Sequence, residues 1–258
     1  MRLEISALSK PGGRPPNEDA FGCWSSQAAS FCLLCDGAGG HGGGEIASKL
    51  AVRVALGRFQ AKPECSGAAI DAALRAAQEA IVAAQAAGNG TENMRATAAV
   101  LAIDTGRGEA CWGHLGDTRL YGFRNGAVLV RTKDHSVVQR MVDAGYIRDE
   151  DLRSAPDRSQ LFAALGQAEN FAPAIAAETW TLQDGDVFLL CTDGFWGVLP
   201  DDLMLSTLAG SESTQAWLEA MEREVVARGG PDQDNYSALT VWCGKGGLGA
   251  TAGTSGPG

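Results

Sequence analysis

Basic residues are scarce in this chain. Its 258 residues hold 21 Lys and Arg against 31 Asp and Glu, a formal net charge of −10. Nucleic acids and anionic membranes are bound through a basic footprint, so this balance excludes both as broad partners. No run reaches the roughly 18 apolar residues that a membrane span requires. The N-terminus lacks an apolar stretch, so no signal peptide is expected. The seven cysteines are odd in number and show no framework spacing. Cys32, Cys35, Cys191 and Cys243 lie inside apolar runs, which reads as buried reduced thiol in a reducing, cytoplasmic compartment. Cys32-x-x-Cys35 mimics a redox motif, but residues three apart in a strand point to opposite faces. No domain boundary and no internal repeat is visible.

What is present is the composition of a globular enzyme, 45% hydrophobic and 20% charged. Alternation at Leu3, Ile5 and Ala7 predicts an opening strand, followed by a loop over Pro11 to Pro16. A strand pair is expected at 19–24 and 31–36, then helices at 45–59 and 67–86. The second helix presents Ile70, Leu74, Ala77, Ile81 and Ala84 on one face. Segments 97–103, 109–115, 118–123 and 127–131 read as one antiparallel meander. Asp134 is expected to cap a helix at 136–144, and 146–172 reads as an irregular surface flap. Strands at 174–182 and 186–192, helices at 201–209 and 214–227, and a strand at 235–242 complete the order. Segregated runs of strands and helices predict an α+β fold, with helix pairs covering the outer faces of two packed antiparallel sheets. Residues 244–258, about half glycine, read as a disordered tail after a single domain over 1–243.

Two apolar runs end alike. Phe31 to Cys35 runs into Asp36-Gly37, and Val187 to Cys191 runs through Thr192 into Asp193-Gly194. Each reads as a buried strand that delivers a carboxylate to its end, with a glycine behind it that permits close backbone approach. Asp234 opens the strand-like run from Tyr236. If that strand is antiparallel to the others, the three acids gather at one edge of a sheet, where hard oxygen ligands suit Mg²⁺ or Mn²⁺. Further acidic segments are Asn17-Glu18-Asp19 and Gly116-Asp117-Thr118-Arg119. Any one alone is an ordinary turn; their order is informative.

With Arg14-x-x-Asn17-Glu18-Asp19, Asp36-Gly37-x-Gly39-Gly40-His41, Gly116-Asp117-Thr118-Arg119, Asp134-His135-Ser136, Ala164-Leu165-Gly166, Asp193-Gly194-Phe195-Trp196 and Asp234-Asn235-Tyr236-Ser237, the chain resembles the metal-dependent serine/threonine protein phosphatases of the type 2C, or PPM, family. The resemblance spans about 5–242, and its compact length looks like the bacterial branch. It implies a β-sandwich flanked by helix pairs. It implies that Asp36 bridges two metal ions, that the Gly37 carbonyl binds one of them with Glu18 and Asp19 holding coordinated waters nearby, and that Asp193 and Asp234 bind the other. Asp117 matches the position that shares a third, weaker metal with Asp193. Arg14 would grip the substrate phosphate, and Asn235 and His41 would stand behind these residues. The implied cofactor is Mn²⁺ or Mg²⁺, in two tight sites and one weak one. The implied substrates are phosphorylated proteins made by a cognate Ser/Thr kinase, and the chain is expected to be a monomer.

The residue types suit that chemistry. A phosphomonoester dianion resists attack by another anion; divalent metal neutralises it and makes hydroxide available near neutrality. An in-line attack on phosphorus then needs no Cys or Ser nucleophile. Arg14 can contact phosphate oxygens in bidentate fashion, as lysine cannot. One departure concerns the general acid. Where eukaryotic members often place His after Asp-Gly, this chain has Ala38. His41 is read as capping or packing the next helix, His135 as structural, and His114 as packing. Alternatives are a phosphoprotein-binding module without catalysis, which no missing ligand favours; a phosphatase dedicated to one partner-switching regulator, which would commonly carry sensory domains; and a calcium-binding structural protein, which the dispersal of the acids disfavours.

Overall fold

A computed structural model describes residues 1–39, 43–88, 90–167, 169 and 171–244. Its centre is a sandwich of two antiparallel sheets with helices on both outer faces. The strands of the first sheet are β1 (Arg2–Lys10), β8 (Arg119–Arg124), β9 (Ala127–Arg131), β12 (Val187–Cys191) and β13 (Tyr236–Gly244), in the order β1-β13-β12-β8-β9. The second sheet runs β10-β7-β6-β3-β2, from β2 (Ala20–Ser25), β3 (Ala29–Cys35), β6 (Ala98–Asp104), β7 (Glu109–Leu115) and β10 (Ala174–Ile175), with β11 (Trp180–Thr181) also paired to β7. A small pair joins β4 (Gly37–Ala38) to β5 (Arg95–Ala96).

Helices α1 (Gly43–Ala61) and α2 (Gly67–Ala86) cover the second sheet. Ala47, Ala51, Ala55, Ala73 and Ala77 are all fully buried there, small enough to bring the two helices and the sheet close together. Ser66 starts α2 by accepting a hydrogen bond from the Ala69 amide. On the first sheet, α5 (Asp201–Ala209) and α6 (Thr214–Arg228) pack through Met204 and through Trp217, Met221 and Val225, the last three spaced four apart on one buried stripe. Between the sheets lies a third apolar layer that includes Cys32, Leu34, Leu101, Phe188, Leu190 and Leu239. Strands β3 and β12 are buried along their whole lengths because both of their faces are covered, which is why they read as continuous apolar runs. Cys35 faces the helices and Cys32 the inter-sheet layer, as the strand period requires.

Four local expectations need correction. The segments over 97–131 are not one meander. β6 pairs with β7 in the second sheet and β8 with β9 in the first, so the chain changes sheets at Gly116-Asp117-Thr118. The acids after β3 and β12 therefore gather at one end of the sandwich, across both sheets, and not along one sheet edge. Asp134 does not cap a helix. Ser136 does, accepting from the Gln139 amide at the start of α3 (Val137–Asp143), while Asp134 turns inward to Arg119. The expected strand at 174–182 is two short pieces, β10 and β11, both borrowing β7 as partner. Segment 146–172 holds a 3₁₀ turn at Asp149–Ser154 and is tied down by bridges from Leu165 to Ala96 and from Leu161 to Ser136. No described helix is long and apolar enough to cross a membrane.

Candidate active site

The pairing of the first and last strands builds the site. β1 runs beside β13 in register from Arg2 opposite Gly244 to Lys10 opposite Tyr236. The loop after β1 must then meet the loop before β13. Asn235 fastens the two. Its Nδ2 donates to the carbonyls of Pro11 and Pro16, both at 2.9 Å, and its Oδ1 accepts from the Glu18 amide at 2.8 Å. A Cβ on Gly13 would lie 2.0 Å from the Pro231 carbonyl oxygen, so the loops touch only because a hydrogen stands there. At the rim, Arg14 Nη2 donates to Asp234 Oδ2 at 3.1 Å, and both side chains are about half exposed.

Two strand ends supply the floor. After β3, Asp36 is locked at its backbone, its amide donating to Thr97 Oγ1 and its carbonyl accepting from the Thr97 amide. Gly37 follows with its amide on the Glu18 carbonyl at 3.1 Å. A Cβ there would sit 2.1 Å from the Gly44 carbonyl oxygen and 2.7 Å from that of Glu18. Any side chain would push apart the start of α1 and the Glu18-Asp19 turn. After β12, Asp193 opens the short helix α4 (Asp193–Trp196), and its carboxyl is within hydrogen-bonding reach of Asp36. The sheet crossover adds Asp117, buried, with its carbonyl accepting from Trp196 Nε1 at 2.9 Å. Gly116 before it adopts φ +96°, and a Cβ there would strike Thr97 at 2.5 Å.

Asp19, just before β2, is buried. Its Oδ2 accepts from Ser237 Oγ at 2.6 Å and Thr192 Oγ1 at 3.1 Å, whereas its Oδ1 is buried without a partner among the described residues. Burial raises the Asp19 pKa to about 7, with the charges of Asp193 and Asp234 adding to the rise and the two hydroxyls opposing it. Burial likewise holds Asp36 well above the carboxylate range, reinforced by Asp19, Asp193, Asp117 and Asp234. Asp117 is raised by burial and by Asp193 and Asp134. Asp193 is raised by burial, with Arg158 opposing. Four desolvated acids thus repel one another at one spot, an arrangement that is unfavourable unless a cation neutralises it. Among the described residues no group of three or more His, Cys, Asp or Glu side chains is drawn together closely enough to hold a metal ion as it stands. With the unpartnered Asp19 oxygen, this donor set fits hard divalent ions that keep several waters, as Mg²⁺ and Mn²⁺ do.

Comparison with known proteins decides the assignment. Residues 13–233 match the family described as Protein phosphatase 2C. The chain belongs to that family. It is 33% identical over 237 residues to the serine/threonine protein phosphatase PstP of Mycobacterium tuberculosis, covering 89% of this chain and 43% of that protein. The chain therefore spans less than half the length of that curated relative. The serine/threonine phosphatase stp of Listeria monocytogenes is 26% identical, with 88% of this chain and 90% of that protein covered. Among solved structures, the M. tuberculosis PstP/Ppp phosphatase superposes with a TM-score of 0.81 at 29% identity, covering 94% of this chain and 99% of that one. The catalytic domain of PstP in complex with two manganese ions gives 0.80 at 27% identity, with the same coverage of both chains.

Of the expected residues, Asp19, Asp36, Gly37, Asp117, Asp193 and Asp234 come together, Arg14 stands at the rim, and Asn235 and Glu18 join the loops. His41 lies outside the described residues. His114 and His135 are packed away from the acids: their rings stack at 4.7 Å, His114 Nε2 bonds the Lys133 carbonyl, and His135 Nδ1 accepts from the Gly116 amide. Asp117 is not a plain hairpin residue, since it sits at the crossover between sheets. Sequence reading missed Arg158, the cation nearest Asp193 at 3.9 Å and above Trp196 at 5.5 Å. It lies in the irregular segment, where no motif or period marks it. Thr192 and Ser237 were also missed as holders of Asp19, although both flank motif acids in sequence.

Proposed function

We propose that this chain hydrolyses phosphoserine and phosphothreonine on proteins with Mn²⁺ or Mg²⁺, opposing a protein kinase. Residues 1–243 would form the phosphatase domain of a cytoplasmic monomer; of the tail over 244–258 Gly244 ends β13, and the rest, outside the described residues, would be dispensable. The observation that carries this reading is the convergence of Asp19, Asp36, Asp117 and Asp193, with a buried, unpartnered Asp19 oxygen among them.

Asp36 and the Gly37 carbonyl would hold one ion and Asp36, Asp193 and Asp234 a second. Glu18 and Asp19 would act through coordinated water, and Asp117 would share a weaker third ion with Asp193. Bound metal supplies neutralisation of the phosphate dianion and an acidified water. The remaining work falls to the chain. Arg14, half exposed and paired only at the rim, is free to leave Asp234 for phosphate oxygens, which it can contact in bidentate fashion. Asn235 sets where Arg14 stands, because it holds both ends of the Arg14 loop. Thr192 and Ser237 fix one Asp19 oxygen and leave the other to face a ligand.

Hydrolysis of p-nitrophenyl phosphate and of a phosphothreonine peptide tests the reading. Turnover is expected with Mn²⁺, lost with EDTA and restored by added Mn²⁺. Turnover indifferent to chelation, or none with either substrate, overturns it.

A further inference from the structure

Beside the acidic site lies a groove of about 750 Å³ whose wall is largely apolar. Helix α1 presents Ile46, Lys49, Leu50 and Arg53 to it, the i, i+3, i+4, i+7 spacing of one helical face. Phe21 of β2 and Asp19 line it as well. Phe21 is 40% and Ile46 49% exposed, large apolar side chains left open to water where the fold could have placed polar ones. The groove follows α1 because Gly22 lets the helix lie close; a Cβ there would meet Leu56 at 2.4 Å and Val52 at 2.8 Å.

Three observations define an occupant. First, β2 is the terminal strand of its sheet, so among the described residues one row of its backbone amides and carbonyls has no strand partner and can accept an extended chain. Second, the lining combines apolar surface with two cations on a chain of net charge −10. Lys49 is shared only with Glu45 in a surface pair, which is weak enough to be exchanged. Third, Asp19 belongs to both groove and acidic site, so a chain lying in the groove arrives at the reacting phosphate.

We propose that this groove docks an extended segment of the phosphoprotein beside its phosphorylated residue, one carrying an apolar side chain and at least one Asp or Glu. The inference rests on the phosphatase reading above and names the substrate class that the site selects. Phe21, Ile46 and Leu50 receive the apolar side chain, and Lys49 and Arg53 the acid.

Three phosphothreonine peptides test it, one flanked by Leu and Glu, one by Leu and Lys, and one by Gly and Ser, together with p-nitrophenyl phosphate as a substrate too small to reach the groove. The wild type should prefer the Leu/Glu peptide by about tenfold in kcat/KM over the Gly/Ser peptide, through KM. Phe21→Ser with Ile46→Ser should erase that preference and leave p-nitrophenyl phosphate turnover within about twofold. Lys49→Glu with Arg53→Glu should invert the choice between the Glu and Lys peptides, a gain that general damage cannot produce; it decides the matter if the apolar double variant fails to fold. Equal turnover of all three peptides by the wild type, or parallel losses on peptides and p-nitrophenyl phosphate in both variants, overturns the docking role while leaving the phosphatase reading intact. A wild type inert in Mn²⁺ towards p-nitrophenyl phosphate and all three peptides overturns both.

Discussion

Two groups of buried charge lie a few residues apart and are built on opposite plans. In one, Arg119 and Asp134, both about 98% or more buried at the side chain, meet through two 2.8 Å hydrogen bonds. The guanidinium also donates to Tyr121 Oη and lies 3.5 Å over the Trp196 ring. Every charge there is answered inside the protein. In the other, Asp19, Asp36, Asp117 and Asp193 face one another with Arg158 beside Asp193 and the charge of Arg119 reaching Asp117, and among the described residues one Asp19 oxygen has no partner. The two groups share a wall, since Trp196 both supports Arg119 and bonds the Asp117 carbonyl. A closed charge pair stiffens the crossover so that an open one can be held in place next to it. If the first group serves stability and the second the proposed chemistry, mutation should separate them.

The largest expected effect is on activity. Asp36→Asn and Asp193→Asn should each reduce Mn²⁺-dependent turnover by about a thousandfold or more, the loss of several kcal/mol of charge stabilisation. Neither should lower the melting temperature of the metal-free protein, because each removes a repelling buried charge. Near-normal turnover of either variant at saturating Mn²⁺ would contradict this. Asp117→Ala should cost less, about tenfold to a hundredfold. Titration with Mn²⁺, followed calorimetrically, should show the tight sites kept and a weak site gone. Normal turnover with normal stoichiometry would return Asp117 to a purely structural role at the crossover.

Asp134→Ala should do the reverse. Leaving Arg119 buried without its partner should cost about 3–5 kcal/mol of stability, read by denaturant unfolding. What activity remains in the folded fraction should keep its Mn²⁺ dependence. Smaller still is Arg14→Ala, expected to raise KM for phosphopeptides by about tenfold with less change in kcat. Arg14→Lys should recover only part, because the bidentate contact is lost. An unchanged KM would remove Arg14 from the phosphate site.

How much of this was legible in the sequence follows from which signals are local. Helices α1, α2, α5 and α6 were visible because apolar period and length agree over those segments. The acids Asp36 and Asp193 were visible because each ends an unbroken apolar run, the mark of a strand covered on both faces. The sheet change at Gly116-Asp117-Thr118 was not. Antiparallel pairing within a hairpin and a crossover to the opposite sheet both need the same short glycine-bearing turn, and only long-range packing distinguishes them. Asp134 misled for a related reason: an acid before a helix satisfies the cap rule, but Arg119 lies fifteen residues away in sequence and wins the side chain. Arg158 carried no local signal, because its partner Asp193 and its platform Trp196 come from another part of the chain.

The finest test concerns pH, where the acids and the histidines pull in opposite directions. Asp19, raised to about 7, binds its proton more tightly in the native state than in the unfolded chain, and Asp36, Asp117 and Asp193 are raised as well. For such groups stability is fully present below the unfolded carboxylate range and is lost as pH rises towards the folded values. His135, lowered to about 4 by burial, with His114 and Arg140 adding to the effect, behaves oppositely. Its contribution is present above about pH 6.5 and is lost as pH falls towards 4; His114, also lowered by burial, adds the same sign. Four raised acids outweigh two lowered histidines, so the melting temperature of the metal-free protein should fall between about pH 4 and pH 7. Saturating Mn²⁺ requires ionised ligands and so displaces those protons. The acids then cease to disfavour the higher pH, the histidines remain, and the slope should change sign. Thermal unfolding across that range, with EDTA and with Mn²⁺, reads both slopes. Asp19→Asn should flatten the metal-free decline, and His135→Gln should steepen it. Parallel profiles with and without metal would show that the acidic group is not where the ion binds, and the contrast with the Arg119–Asp134 pair would lose its basis.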